Sequence, residues 1–504
     1  ANSADSYIPI SLLSIMLKLF ERLIYNRICD AVNEVVPPEQ AGFRIGRSCT
    51  DQVMTLTNYI ESGYQHRLKT GVVFVDLTAA YDTVWKKGLL FKLLKVIPSL
   101  TICNVISNML SDRIFQVLLN NKTSSFMKLN NGLPQGSVLA PLLFNLYIHD
   151  LPTSAARKFI YADDIAYVIQ ANQFKEIEET LTTDMDLLTE YCGLWRLNPS
   201  QSKTESSCFH LDNRQSHYSL KVLMSGALIK YNPNPKYLGI TLDRTLTFKQ
   251  HLQKLRCKLG TRNNIISKLS STTWGANAAT LRISALSLVY SSAEYCFPVW
   301  INSRHTNIID TELNKTMRTI SGTVRSTPTA WLSPLANIAP ADLRRKKALL
   351  REYWKIINSP DLPVYVDLQD LPPSRLRSRN PPFASAKSLA QDDFSLNDAW
   401  KERWNSAGLG NLLFEFDKDR TTEFELPRRC FANLNRLRTG HGCCNEMLHK
   451  WGYLDSPVCD KCGHITQSMD HIWLDCPVMK YQGPVVDISN LDENAIEWLK
   501  KLKL

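Results

Sequence analysis

Phe159-Ile160-Tyr161-Ala162-Asp163-Asp164-Ile165-Ala166-Tyr167-Val168-Ile169 is the stretch on which the fold turns. Two runs of β-branched and aromatic residues, each the length of a strand, meet at a pair of acids, the pattern of a hairpin with carboxylates at its turn. A second such run, Gly71-Val72-Val73-Phe74-Val75-Asp76-Leu77, also closes on an acid. If the two runs are neighbours in one sheet, three carboxylates converge at a single edge. Hard oxygen ligands with no His or Cys nearby favour magnesium over zinc. Taken alone, an Asp-Asp pair in a hairpin is ordinary turn chemistry, so the surrounding residues decide what it means.

Working outward, residues 11–35 have helical spacing that Pro37-Pro38 ends, and a second helix is predicted over 50–67. Helical patterning covers 87–110, alternation over 114–129 predicts a hairpin, and Gly132-Leu133-Pro134-Gln135-Gly136 is a turn opening a helix to about Ile148. A helix over 174–195 and a strand pair ending at Tyr237-Leu238-Gly239-Ile240 complete an α+β unit, a sheet backed by helices, up to residue 250. The spacing is helical over 251–357. Six prolines (Pro360, Pro363, Pro372, Pro373, Pro381 and Pro382) mark 358–388 as a linker, and helices with a cysteine cluster follow over 389–504.

At 504 residues the chain is too long for one core. With 44% hydrophobic and 21% charged residues, most of it should fold. The net charge of +11 favours polyanionic partners. Thirteen cysteines, an odd number and mostly isolated, argue against a secreted disulfide framework and for the nucleus or cytoplasm. There is no signal peptide pattern, and no apolar run approaches the roughly 18 residues that span a bilayer, so no membrane partner is expected. The chain opens on Ala1 and enters an apolar helix almost at once, which reads as a fragment of something longer.

Tyr161-Ala162-Asp163-Asp164 resembles the Tyr-Ala-Asp-Asp box of reverse transcriptases, and Phe74-Val75-Asp76-Leu77 through Tyr81 resembles their first metal-binding motif. Asn131-Gly132-Leu133-Pro134-Gln135-Gly136-Ser137 resembles the motif between them. Ser6-Tyr7-Ile8-Pro9 with Lys18 to Glu21, then Gln40-Ala41-Gly42-Phe43-Arg44-Ile45-Gly46-Arg47-Ser48, are similar to the finger motifs of non-LTR retrotransposon polymerases, the jockey-like kind in particular. Leu197-Asn198 to Lys203-Thr204 and Lys236 to Gly239 continue the likeness, in the family's order. At Ile8 the chain departs from the arginine usual in the family, which removes a basic contact.

The resemblance implies a right-hand polymerase fold with an antiparallel palm sheet: incomplete fingers over 1–70, palm with primer grip over 71–250, and helical thumb or connection over 251–357. It implies that Asp76, Asp163 and Asp164 hold two Mg2+ ions, with Mn2+ able to substitute, and that Lys203 is the general acid for the departing pyrophosphate. Tyr81 would gate the sugar, Gln135 would touch the nascent base pair, and Arg44 and Arg47 would meet the triphosphate or template. Tyr237, Leu238 and Gly239 would support the primer end. The implied partners are an RNA template, a DNA primer and deoxynucleoside triphosphates. The endonuclease that such elements carry is not in these 504 residues.

In the tail, Cys459, Cys462, His471 and Cys476 follow C-x2-C-x8-H-x4-C, three thiolates and an imidazole suited to closed, structural Zn2+. Arg428, Arg429, Arg436, Arg438 and Lys450, with Trp451 nearby, suit binding of nucleic-acid phosphates. Residues 495–499 predict an amphipathic helix at a native terminus. The sequence therefore reads as an RNA-directed DNA polymerase. The alternative is a catalytically decayed or co-opted remnant that binds nucleic acid through its basic tail.

Overall fold

The strand that ends at the first acid, β1 (Lys69–Val75), is the middle of a five-stranded sheet. Its neighbours are β3 (Asp164–Ala171) on one side and β4 (Glu205–Phe209) on the other, both antiparallel. β2 (Arg157–Tyr161) forms a hairpin with β3, and β5 (Lys230–Tyr231) lies beyond β4, giving the order β5-β4-β1-β3-β2. The expected antiparallel sheet is thus mixed, because β5 runs parallel to β4. The chain reaches β5 by a long excursion after β4 rather than by a tight turn, as a parallel pairing requires. The computed structural model describes residues 10–271, 274–369, 375–376, 379–410, 412–417 and 422–504. Ile8, Pro372 and Pro373 lie outside the described residues.

After Lys69 and Thr70, β1 is apolar from Gly71 to Val75, because both of its faces are covered. A Cβ on Gly71 would lie 2.1 Å from Ile177, so the helix carrying Ile177 sits directly on the strand. Thr70, one residue earlier, points to the other face, where a Cβ on Gly63 would meet its hydroxyl oxygen at 2.9 Å. Ile177 belongs to a helix over Phe174–Trp195 whose Phe174, Ile177, Leu181, Met185 and Leu188 are buried at a spacing of three or four. Each such aliphatic side chain contributes about 1.5–3 kcal/mol.

Upstream, α1 (Ile15–Val35) is capped by Ser14 and stops before Pro37. α2 (Cys49–Gln65) opens on a capping box made by Ser48 and Asp51. The helical stretch predicted over 87–110 is two helices, α3 (Lys86–Val96) and α4 (Leu100–Leu110), because Pro98 interrupts it and Ser99 caps the second. The predicted hairpin forms as two nested pairs, Ile114–Phe115 with Met127–Lys128 and Leu118–Leu119 with Lys122–Thr123. Its tip is Asn120-Asn121, both at positive φ, as a tight hairpin turn demands. α5 (Ala140–Tyr147) receives at its start the buried carboxylate of Glu21, which accepts from Val138 N–H (2.7 Å) and Ser137 Oγ (2.8 Å).

The proline-rich stretch is not a free linker where it is described. The described residues between Trp354 and Phe383 fold with the sheet-bearing unit, and Pro363–Gln369 is a helix packed on α2. Lys355 pairs with Asp51 at 2.6 Å, Arg157 grips Asp367 through two bonds of 3.0 and 2.9 Å, and Arg379 pairs with Glu61. Arg375 donates to the carbonyl oxygens of Tyr64 and Gln65. Proline content signalled an irregular path; the charges that fasten it to α2 and to β2 were in the sequence without their partners.

The chain accordingly condenses into two units rather than the five expected segments: residues to Thr247 with Trp354–Phe383, and Phe248–Tyr353 with Ala384–Leu504. The second unit is helical. In it the helix Arg428–Thr439 carries the arginines expected to meet nucleic acid, and they do other work. Arg428 and Arg436 donate to the last carbonyl oxygens of the helix Asn307–Ser321 and its Gly322 cap, where positive charge is favoured. Arg429 donates to Leu502 O, and Arg438, 1% exposed, pairs with the buried Glu423 at 2.7 Å. Lys450 stays at the surface, paired with Glu446.

Candidate active site and metal-binding cluster

Register brings the acids together. Val75 is paired with Ile165, so the next position of β1's path, Asp76, comes opposite Asp164 on the adjacent strand. Asp163 stands in the β2–β3 turn, after Ala162 at φ +57°. Burial raises the Asp163 carboxyl above its ordinary value, with the charge of Asp76 adding to it. Asp164 is pushed up to about 6 by loss of water and by Asp163 and Asp76, while Lys236 works the other way. Mutual repulsion of this kind is what a cation relieves. The charges of Asp76 and Asp163 both act on Asp164, so the three acids form one electrostatically coupled group.

The loop over Asn198–Thr204 runs alongside. Asn198 O accepts from Thr78 N–H, Asp76 O from Ser200 N–H, and the Thr204 hydroxyl accepts from Asp76 N–H at 3.3 Å. Lys203 Nζ lies 3.9 Å from Asp76 Oδ2, with the lysine largely open to water and the aspartate partly so. Tyr81 stacks on Phe144 (ring centroids 4.7 Å apart, 14° between planes) and meets Phe43 edge-on at 6.2 Å. Burial, then the charge of Asp163, holds its hydroxyl un-ionised, and that buried oxygen has no hydrogen-bond partner. Gln135 reaches Asp82 with long contacts of 3.4 Å.

The hairpin of Lys236–Tyr237 with Ile240–Thr241 turns through Leu238 and Gly239, both at positive φ. Phe74, Val75, Asp164, Ile165, Lys236, Tyr237, Leu238 and Gly239 line one open cleft of about 240 Å3. The expected primer-grip residues and an acid therefore share a cavity. Arg44 and Arg47 are placed differently: Arg44 donates to Val36 O and Pro37 O, and Arg47, its side chain 4% exposed, to Pro38 O, Gln40 O and Asp361. Their guanidinium groups brace the loop before α2.

In the second unit the ligand atoms of Cys459, Cys462, His471 and Cys476 lie within 4.8 Å of one another. Three sulfurs and one nitrogen at that spread fit a tetrahedral ion with bonds of about 2.0–2.3 Å. Burial opposes ionisation of Cys459, but hydrogen bonds from the Gln467 amide and the Lys461 and Cys462 backbone bring its thiol down to about 6, the thiolate a metal needs. Gln467, Lys236, Thr204 and Glu21 had no role assigned in the sequence; only their neighbours in the fold give them one.

Residues 2–242 match the family described as reverse transcriptase (RNA-dependent DNA polymerase). That likeness covers 241 of the 504 residues, just under half of the chain. It is 35% identical over 312 residues to a probable RNA-directed DNA polymerase from transposon BS of Drosophila melanogaster, covering 59% of this chain and 33% of that protein. It is 30% identical over 334 residues to the RNA-directed DNA polymerase from mobile element jockey of Drosophila melanogaster (63% and 36% covered). A Pol polyprotein from type-1 retrotransposable element R1 of Bradysia coprophila matches 94% of this chain at 26% identity, over 46% of its own length. The kinship is with non-LTR, jockey- and R1-type retroelements. The chain spans between a third and a half of the length of these relatives. A telomerase structure from Candida tropicalis aligns with 76% of this chain and 56% of its own at TM-score 0.36 and 11% identity.

Proposed function

We propose that this chain extends a DNA primer on an RNA template from deoxynucleoside triphosphates. The observation that carries the reading is the register of β1 against β3, which sets Asp76 beside Asp163 and Asp164. These acids would hold two Mg2+ ions, or Mn2+, which when bound activate the primer 3′ hydroxyl and offset charge on the departing pyrophosphate. Lys203, beside Asp76, would give a proton to that leaving group. The Tyr81 ring, fixed between Phe43 and Phe144, would exclude a 2′ hydroxyl. Gln135 would touch the nascent base pair, and Tyr237, Leu238 and Gly239 would bear the primer end in the cleft shared with Asp164. Arg44 and Arg47 would serve by shaping the loop rather than by gripping phosphate.

In hand terms, residues 1–70 would be incomplete fingers, 71–250 palm, and 251–357 thumb or connection, with Cys459, Cys462, His471 and Cys476 holding structural Zn2+. Among the described residues no helix is long and apolar enough to cross a membrane. All thirteen cysteines are unpaired, which supports a reducing compartment such as nucleus or cytosol. The reading as a remnant that binds through a basic tail loses its footing, because Arg428, Arg429, Arg436 and Arg438 are engaged by backbone oxygens and Glu423. Primer extension on an RNA template tests the proposal. Wild type should incorporate deoxynucleotides in preference to ribonucleotides, and Asp163→Asn should be inert; equal extension by the two proteins would reject it.

A further inference from the structure

The turn that carries Asp163 and Asp164 is held from outside the sheet. Ala162 sits at φ +57°, a left-handed conformation that alanine, with no side chain to stabilise it, adopts only where its surroundings impose it. Both backbone groups of Ala162 are bound by a single side chain 122 residues away in sequence: Gln40 Oε1 accepts from Ala162 N–H at 2.9 Å, and Gln40 Nε2 donates to Ala162 O at 3.3 Å. The same Oε1 accepts from Gly42 N–H at 2.7 Å. Two N–H groups aimed at one atom fix which end of the amide is oxygen. Gln40 is 1% exposed, so water does not stand in for its amide.

The residues around Gln40 hold it there. Gln40 bridges to Ile160 in parallel, with Ala41 N–H donating to Ile160 O at 2.8 Å and Ile160 N–H to Glu39 O at 3.3 Å. A Cβ at Gly42 would lie 2.2 Å from Ala162 N, so only glycine allows this approach. Asn145 from α5 donates to Gly42 O at 2.9 Å, and Gln52 from α2 to Ile160 O at 3.3 Å. The Gln40–Gly42 segment is thus a short added strand whose last backbone partner is replaced by an amide side chain.

We propose that Gln40 is a positioning residue for polymerisation: its amide fixes the left-handed turn at Ala162 and so sets Asp163 and Asp164 relative to Asp76. The inference rests on the polymerase reading of those acids. Removing the amide leaves buried Ala162 N–H and C=O unpaired, and the turn relaxes to recover partners. Mg2+, which demands near-ideal octahedral geometry, should register the displacement most strongly.

The test uses the full chain with two variants of matched size: Gln40→Met, which removes all three bonds, and Gln40→Glu, which replaces the donor facing Ala162 O with an acceptor. Primer extension is titrated with Mg2+ and with Mn2+, normalised to the folded fraction from a thermal melt. The half-saturating Mg2+ concentration should rise on the order of tenfold in both, as for loss of a partner one shell from a metal, with Mn2+ recovering part of the rate. A half-saturating Mg2+ concentration within about twofold of wild type in both variants, or a loss of rate that only tracks the folded fraction, would overturn the proposal. Asp163→Asn is run beside them. If it extends primers the polymerase reading itself fails, whereas an inert Asp163→Asn beside unperturbed Gln40 variants sinks only the role of Gln40.

Discussion

The acid hairpin of the first unit and the cysteine cluster of the second are built on opposite plans. Asp76 and the Asp163-Asp164 pair come from distant parts of the chain, meet through strand register and repel one another, and Asp164 lines an open cleft. Cys459, Cys462, His471 and Cys476 come from one short stretch, and their ligand atoms already lie within 4.8 Å of each other, with three of the four residues buried. A site that must admit a substrate keeps positions free, and one that only staples a fold closes around its ion. The difference teaches that local spacing suffices to gather the Cys and His ligand atoms, whereas bringing Asp76 to Asp163 and Asp164 takes the pairing of distant strands.

The contrast sharpens first at the cluster. Cys459→Ser should abolish stoichiometric zinc, measured by metal analysis of the purified protein, and melt the surrounding module, because metal binding and folding are one equilibrium there. Retention of about one zinc per chain would show that the cluster is not the site.

Next comes the strap that braces the open site's unit. Arg379→Ala leaves Glu61 mostly buried without its partner and should lower stability by about 2 kcal/mol, read from the denaturant midpoint. An unchanged midpoint would restore the view of 358–388 as a linker.

The smallest effect is on pH. The folded value of Asp164, about 6, is above that of a free carboxyl, so without cations its contribution favours folding at low pH and is lost as pH rises through about 6. Cation binding has the reverse sign, since the acid must first lose its proton. Extension at limiting Mg2+ should therefore fall as pH drops through about 6, and excess Mg2+ should move that limb to lower pH. A limb indifferent to Mg2+ would break the link between Asp164 and the metal.

Much of this was readable before any fold. Asp76 at the end of an apolar run and the Asp163-Asp164 pair between two more announced strands with acids at their ends, and β1 to β3 form as read. Cys459 to Cys476 needed only their spacing. What the sequence hid were partners rather than elements. Arg428, Arg436 and Arg438 count as positive charge in any composition, yet their guanidinium groups meet helix-end carbonyl oxygens and Glu423 instead of solvent. Arg47 looks like a phosphate ligand until Pro38 O and Gln40 O are found beside it. Gln40 stands at the head of a motif that resembles the family's, yet nothing local gives it a role, because its partner is a backbone turn far along the chain.

The account rests on Asp76 joining the other two acids, and Asp76→Asn tests it most directly: the rate of Mg2+-dependent primer extension on an RNA template, with folding checked by thermal melting. The predicted result is an unchanged melt and a rate lower by about 10³-fold or more, close to 4 kcal/mol of lost transition-state stabilisation. A folded Asp76→Asn protein extending primers within about tenfold of wild type would contradict it.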